Sequence, residues 1–289
     1  MRMHNADETC GIAQAAVVLG DWWNVLVLRE VARGQVRFDA LAAEIGLSRK
    51  VLTERLGGLV AHGVLRRSLY QRRPTRYEYL LTDAGLALLP VLVAMQDWGD
   101  RWVLGDGSLT ATAAQDGAEH ARVHALAGAR LPGGLELPGA RGGVLPVVAP
   151  DAAATVLFTY PGTGVAWDEP LPGAAGCTLE HRLFRDAWPD FRRANLEIRG
   201  VSTQLPHEQA EFADAEQVPY PLLSDARHRL AAALRLPTFR GAGRLRHKRL
   251  ILVVDADRTV RHALFPVDDI AHAVDRSLRL AADCASGRA

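Results

Sequence analysis

The chain is 289 residues long, 48% hydrophobic and 23% charged, with a formal net charge of +1. That composition suits a globular protein of two domains, each burying its own core, and near-neutrality excludes a global basic excess, so any nucleic-acid site must be a local patch. No apolar run approaches the roughly 18 residues of a membrane span, and the start, MRMHNADETC, lacks the apolar core of a signal peptide, so a cytoplasmic protein without a membrane role is expected.

In chain order, GIAQAAVVLG (11–20) and WWNVLVLREVARG (22–34) read as helices separated by Gly20 and Asp21, and RFDALAAEIG (37–46) as a short third. LSRKVLTERLGGLVAHG (47–63) takes Ser48 as N-cap and ends at Gly63. Within it Leu52, Leu56, Leu59 and Val60 recur at helical spacing and turn one face inward, leaving Lys50 and Glu54 outward. Gly57 and Gly58 cost this helix about 1 kcal/mol each relative to Ala, which predicts a close helix or backbone approach there. VLRRSLYQRRPTRYEYLLT (64–82) reads as two strands around an Arg-Arg-Pro turn, followed by one long helix from Asp83 through Trp98 to about Val103. This is the order of an α+β winged helix-turn-helix over residues 1–104, with the trailing helix a natural dimer element. Residues 105–134, Gly-, Ala- and polar-rich without a sustained period, read as a linker with a helical piece at 116–128.

From about 145 strand and helix alternate. ATVLFTY, LEIRGVST and RLILVVDAD are runs of buried-strand type, helical patterns occupy 178–195, 206–216 and 224–235, and VDDIAHAVDRSLRLAADC closes the chain as an amphipathic helix. Residues 135–289 are therefore expected to form an α/β domain built largely of β-α-β units.

Between Ser48 and Arg76 there are eight basic residues and one acidic residue, Glu54. They fall on the recognition helix and the wing, the elements that meet base edges and phosphates. The candidate contacts to duplex DNA are Ser48, Arg49, Lys50, Thr53, Arg55, Arg66, Arg67, Arg72, Arg73 and Arg76. Arginine serves both tasks, since its planar fork binds guanine edges or phosphate oxygens.

Cys10, Cys177 and Cys284 are far apart and have no metal-binding spacing, so neither a metal nor another cofactor is expected. In a reducing cytosol they begin as thiols, and the ordinary reading of each is an inert, partly buried side chain. Cys177 stands apart because it lies where a strand hands over to a helix. The first turn of a helix offers unsatisfied N–H groups and a positive dipole end, both favouring thiolate, the species that attacks an O–O bond. Arg185 and Arg249 are candidates to favour it further, which predicts that Cys177 is the most acidic of the three thiols.

The first hundred residues resemble the HxlR-type winged helix regulators. The likeness rests on Cys10, the helix around Trp23, RFDAL, LSRKVLTERL, RRPTRYEYLLTDAG and the closing DWG. It implies homodimers on operator DNA, and in several members the cysteine matching Cys10 senses oxidants; here Gly11 replaces the proline that often follows, and packing and sensing both stay open for Cys10. Residues 153–278 resemble peroxiredoxins of the alkyl hydroperoxide reductase and bacterioferritin-comigratory types, through GCTLEHRLFRD, RGVSTQ, PLLSD and RLILVVDADRTV. That resemblance implies a thioredoxin-like fold with Cys177 as the peroxidatic cysteine, Arg249 orienting peroxide, and Thr178 and Glu180 completing the helix start.

Two departures stand against the pattern. The hydroxyl residue three positions before the cysteine is Ala174, and the loop from Pro161 to Cys177 is long, so Pro170 has the motif spacing while Pro161 has the strand context. Position 182, where some relatives carry a resolving cysteine, is Arg182, leaving Cys284 or Cys10 as candidate resolving or sensing thiols. The combined expectation is a redox-responsive regulator that binds operator DNA as a homodimer and is oxidised by peroxide and restored by thiol reductants. The alternatives are a weak thiol peroxidase tethered to DNA, and a regulator whose second domain is a redox-inactive binding module.

Overall fold

The computed structural model describes residues 9–104, 111–167 and 171–287. Packing divides the chain into two units, Met1–Leu92 and Val93–Ala289.

The first unit opens with α1 (Gly11–Leu19), α2 (Trp22–Ala32), α3 (Phe38–Ile45) and α4 (Arg49–Ala61). Asp21 caps α2 by accepting from Trp23 N–H, and Ser48 caps α4 by accepting from Val51 N–H, each satisfying a donor that a helix start leaves over. A hairpin of β1 (Leu65–Arg72) and β2 (Thr75–Leu81) forms the wing. Its core joins Val27, Leu28 and Val31 of α2 to Leu41, Leu52, Leu56, Leu59, Leu65 and Tyr79, as the helical spacing of α4 required. The expected helix 83–103 is two helices, α5 (Asp83–Ala87) and α6 (Leu89–Trp102). Pro90 is the reason: it has no N–H for the preceding turn and suits only the first turn of a new helix. A Cβ on Gly57 or Gly58 would meet nothing within 4 Å, so no contact among the described residues accounts for either glycine.

The second unit contains α7 (Ala118–His124), the short strands β3 (Glu136–Pro138) and β4 (Val144–Pro146), then β5 (Ala154–Thr159), α8 (Cys177–Arg193), β6 (Leu196–Ser202), α9 (Pro206–Ala215) and β7 (Leu222–Ser224). It ends with α10 (Arg229–Leu234), β8 (Thr238–Gly241), β9 (Arg244–His247), β10 (Leu250–Asp255), β11 (Val260–Leu264) and α11 (Ile270–Ala285). The five-stranded sheet runs β11-β10-β5-β6-β7, with β5, β6 and β7 parallel and β10 and β11 antiparallel to their neighbours. Alternation along each strand supplies two cores. Val156, Phe158, Ile198, Ile251 and Val253 pack with Phe184 and Phe191 of α8 and Val274 and Ala281 of α11. Leu157, Val201, Leu252 and Val254 pack on the other face with Val123, Leu131, Leu230 and Leu234. This is the mixed-sheet thioredoxin-type fold.

The linker reading of 105–134 needs correction where the segment is described. From Ala111 onward it belongs to the second unit: Val123 and Leu131 are buried, and Gly128 N–H and Leu131 N–H donate to Val260 O and Arg258 O, both at 2.8 Å. A few apolar residues at wide spacing anchor it, a pattern without a period. Among the described residues no single helix is long and apolar enough to cross a membrane.

Candidate thiol site and nucleic-acid interface

Cys177 is the first residue of α8, and the left-handed backbone of Gly176, φ 95°, makes the turn that places it there. A Cβ on Gly176 would come within 2.5 Å of Ile270 Cδ1, so glycine is required by both torsion and space. Arg249, just before β10, reaches across to the thiol. Its Nη2 donates to Cys177 Sγ at 3.4 Å and to Ala175 O at 2.9 Å, while Nη1 donates to the Glu180 carboxylate. Glu180 lies one helical turn beyond the cysteine, so both anion-forming groups meet one guanidinium. Thr178 is half-buried on the same turn.

The three interacting groups are sealed from water, with Cys177 4%, Arg249 3% and Glu180 0% exposed. Burial pushes the Cys177 thiol up, Arg249 pulls it down, Glu180 pushes it up again, and the Gly162 backbone N–H pulls it down. Desolvation wins, the reverse of the acidity expected from helix start and arginine alone. Burial likewise raises Glu180 to about 7 against the opposing pull of Arg249, and lowers His181 to about 3, with Arg249 contributing. His181 packs among Phe158, Tyr160, Phe212 and Tyr220.

Other expectations are redistributed. Arg185 turns away from the thiol, donating to Glu216 O at 2.8 Å and Asp186 at 3.0 Å, and Arg182 grips the Glu216 carboxylate at 2.7 and 2.8 Å. Ala174 presents its carbonyl to the sulfur, Cys177 Sγ donating at 3.7 Å, while its methyl packs with Ala111 and Phe239. Of the two prolines, Pro161 is buried and its carbonyl accepts from Arg246 Nη1 at 3.1 Å, and Pro170 falls outside the described residues.

Cys284 is at the wrong end of the unit to resolve Cys177. It lies 14 residues after Ile270 on α11, about 21 Å along the axis at the helical rise. Its charged neighbours are Asp255 and Arg261, and Asp255 ends the strand whose start adjoins Arg249. A disulfide needs Cα atoms within about 7 Å. Cys10, half-buried, is the N-cap residue of α1 in the first unit. Sequence reasoning missed Arg246, which is 4% exposed and feels the Cys177 charge.

In the first unit Arg49, Lys50, Thr53, Arg66, Arg67, Arg72, Arg73 and Arg76 are exposed on α4 and the wing. Asp39 bridges Arg49 at 2.9 Å and Arg76 at 3.6 Å, tying recognition helix to wing through pairs weak enough in water to yield to phosphate. Ser48 is committed to its cap and Thr53 to Arg49 O at 2.7 Å. Arg55 is the exception: half-buried, it pairs with Asp21 at 2.8 Å, so it braces α4 against α2 rather than facing outward. Arg37, absent from the sequence-based set, is exposed over the Tyr70 ring at 4.4 Å.

These two units define a winged helix-turn-helix joined to a thioredoxin-fold thiol domain. The chain belongs to the HxlR-like helix-turn-helix family, whose pattern matches residues 18–106, and residues 152–263 match the AhpC/TSA family. It is 41% identical over 110 residues to an uncharacterized HTH-type transcriptional regulator of Synechocystis, covering 36% of this chain and 82% of that one. The regulator YvaP of Bacillus subtilis is 37% identical over 101 residues, 34% of this chain and 94% of that one. A regulator of Mycobacterium tuberculosis is 38% identical over 92 residues, 32% of this chain and 58% of its own length. Among solved structures, peroxidoxin BcpB of Mycobacterium tuberculosis is similar at 29% identity, over 51% of this chain and 90% of that one, with TM-score 0.43.

Proposed function

We propose that the chain is a redox-responsive, DNA-binding transcription regulator that works as a cytoplasmic homodimer and senses hydroperoxides through Cys177. The observation that carries this reading is the shared Arg249 guanidinium on Cys177 and Glu180, in a chain whose other unit is an HxlR-type DNA reader. Deprotonated Cys177 attacks the outer oxygen of ROOH; an S–O bond forms as the O–O bond breaks, and sulfur is oxidised by two electrons. The leaving alkoxide takes up a proton and departs as alcohol, or as water when R is hydrogen. An incoming thiol then condenses with the sulfenic acid, releasing water, and a second thiol exchanges it off as a disulfide. Oxidation at the head of α8 changes charge and hydrogen bonding at Arg249, and this biases the DNA-binding unit.

Dimer formation is supported by apolar surface left open. Helix α1, GIAQAAVVL, buries none of its residues, and α6 exposes Val91, Met95, Trp98 and Trp102 at 44, 48, 60 and 69%, spaced as one stripe along a helix. Sedimentation should find two copies.

The test is operator affinity of reduced and peroxide-treated protein. The regulator requires a shift that disappears in Cys177→Ser. Fast turnover with a thiol reductant and equal affinity in both states would instead establish a tethered peroxidase, a reading the same Cys177–Arg249 contact supports. Inert Cys177 in both assays leaves the second unit as a binding module.

A further inference from the structure

The stretch from Ala111 to Glu119 lies against the loop that leads into Cys177. Ala111 is 1% exposed, its N–H donates to Pro172 O at 2.9 Å, and its methyl packs with Ala174 and Phe239. Gly173, with φ +79°, lets the two pieces of chain touch: a Cβ there would sit 2.9 Å from Ala111 C, Thr112 N and Thr112 Cβ, a gap that only glycine leaves open. Ala174 in turn presents its carbonyl to Cys177 Sγ at 3.7 Å. One residue therefore lies between the sulfur and Ala111. The same stretch is fastened beside Arg249 and beside α11. The fully buried Lys248, next in sequence to Arg249, donates through Nζ to Thr112 O at 3.1 Å and to Glu119 Oε2 at 2.6 Å. Thr112 Oγ1 and Gln115 Nε2 donate to the Asp268 carboxylate at 3.4 and 3.3 Å, just before the Ile270 that crowds Gly176.

We propose that Ala111–Gly117 is the relay of the thiol site, docked while Cys177 is a thiol and released when its sulfur is oxidised to sulfenic acid or a mixed disulfide. This rests on the reading of Cys177 as the reacting thiol. The sulfur is 4% exposed, so an atom newly bonded to it displaces a neighbour. On the line to Ala174 O, the 3.7 Å available is too short for an S–O bond plus the ~2.5 Å that the closest O–H···O pair needs. Toward Arg249 Nη2, at 3.4 Å, there is less room still. Arg249 is held by the Glu180 carboxylate and Ala175 O, and Cys177 by the first turn of α8, so the loop through Ala174 is the part that gives way. Its movement opens the contact with Ala111 and the hydrogen bond to Pro172. No helix or strand holds Ala111–Gly117, and Ala114, Gln115 and Asp116 are exposed, the character of a segment that opens at low cost. Release stops at α7, because parting Glu119 from Lys248 would leave an uncompensated buried charge. Arg122 of α7 pairs with Asp100 of α6 at 3.6 Å, and Arg235 pairs with the same carboxylate. With the strap from Ala111 to Gly117 undone, α6 keeps these ion pairs but loses the covalent restraint beside them. The helix bearing the apolar stripe of the proposed dimer is thereby the element that oxidation reaches.

The experiment uses full-length protein carrying Cys10→Ser and Cys284→Ser, which leaves Cys177 as its thiol, and follows backbone hydrogen exchange by mass spectrometry before and after oxidation. One sample takes an oxygen from cumene hydroperoxide. In a second, the Cys177 thiolate attacks methyl methanethiosulfonate: an S–S bond forms, methanesulfinate leaves, and the sulfur carries S–CH3. Exchange over 111–117 should quicken about tenfold in both samples, an ordinary coupling between sites, while 118–124 keeps its protection. Cys177→Ser given the same reagents should exchange like the reduced parent. Gly173→Ala, whose Cβ cannot share space with Ala111, should show the quickened exchange without any oxidant; if it does not fold, Ala111→Asp makes the same test. Unchanged exchange over 111–117 in protein whose Cys177 carries either modification overturns the relay, as does full protection of that stretch in folded Gly173→Ala. Release by methyl methanethiosulfonate in a protein inert to hydroperoxide upholds the relay and refutes the peroxide reading alone, whereas inertness to both reagents overturns both.

Discussion

Glu180→Gln should make Cys177 more reactive, although it removes a residue of the peroxiredoxin-like helix start. Arg249 holds the Glu180 carboxylate with one terminal nitrogen and the Cys177 sulfur with the other, so a single buried cation faces two groups that both want to be anions. The two titrate as a pair. Placed about 6 Å apart across one guanidinium, two negative charges at an effective dielectric near 20 repel by about 3 kcal/mol, a factor of about 100 in equilibrium. Glutamine keeps the shape and removes that repulsion. Thiolate should then rise by up to about 100-fold above neutral pH, while each thiolate, being less basic, is about tenfold less nucleophilic, for a net gain of about tenfold. Glu180 titrates at about 7, so the gain should appear at pH 8 and shrink below pH 6, where the parent carboxyl is already neutral. Stopped-flow alkylation of parent and variant from pH 5.5 to 9 measures this. Equal rates at pH 8, or a slower variant, would show that Glu180 carries no charge beside the thiol and that the shared-cation argument is wrong.

Glu180 and the adjacent His181 set a stability profile. Glu180, raised to about 7, keeps a proton in the fold that the unfolded chain has lost, so its contribution is lost as pH rises toward 7; His181, lowered to about 3, is held neutral, so its contribution is lost as pH falls below the ordinary histidine range. Between about pH 4.5 and 6.5 these slopes oppose, and Glu180→Gln should expose the histidine slope of about 1.4 kcal/mol per pH unit, read by urea unfolding of the second unit's transition. On the wing, replacing Arg72 and Arg73 with Ala should reduce the salt dependence of DNA binding by about one unit of log–log slope for each phosphate no longer neutralised; an unchanged slope removes the wing tip from the interface. Gly57→Ala and Gly58→Ala, each with open space for a Cβ, should raise stability by about 1 kcal/mol, and a loss instead would mark a steric demand inside the fold. Ala174→Thr should not speed peroxide oxidation, because its side chain joins Phe239 and Ala111 rather than the sulfur; a faster variant would place that hydroxyl at the thiol after all.

The parts of the site carried by side-chain type were legible in the sequence, and the parts carried by backbone and burial were not. Cys177, Glu180 and Arg249 could be named because a helix start and a strand start carry recognisable residues. The pull of the Gly162 N–H on the thiol could not, because every residue but proline has such a donor. The expected acidity of Cys177 reversed because desolvation depends on what distant strands and helices place around the sulfur, which no local spacing reveals. Arg185 was misjudged for a related reason: it shares a helix with Cys177, yet Glu216 offers it a nearer partner. In the fold, the long strands β5, β6 and β10 announced themselves as apolar runs, whereas β7, three residues in PLLSD, is too short to show a period. The single long helix expected after the wing failed at Pro90, a breaker the apolar pattern on either side concealed.

The placement of Cys284 at the far end of α11 has a consequence for timing. In the proposed cycle the oxidised sulfur has no second thiol of its own unit within reach, so its lifetime is governed by the supply of reductant rather than by the rate of a built-in ring closure. The signal then decays with the thiol concentration of its surroundings, and its duration reports the reducing capacity of the cell as well as the oxidant that started it. Competing with that thiol is a second molecule of peroxide, which carries a waiting sulfenic acid on to sulfinic acid. Brief exposure gives a reversible pulse, and a sustained excess of oxidant over thiol converts the same chain into a lasting record of it.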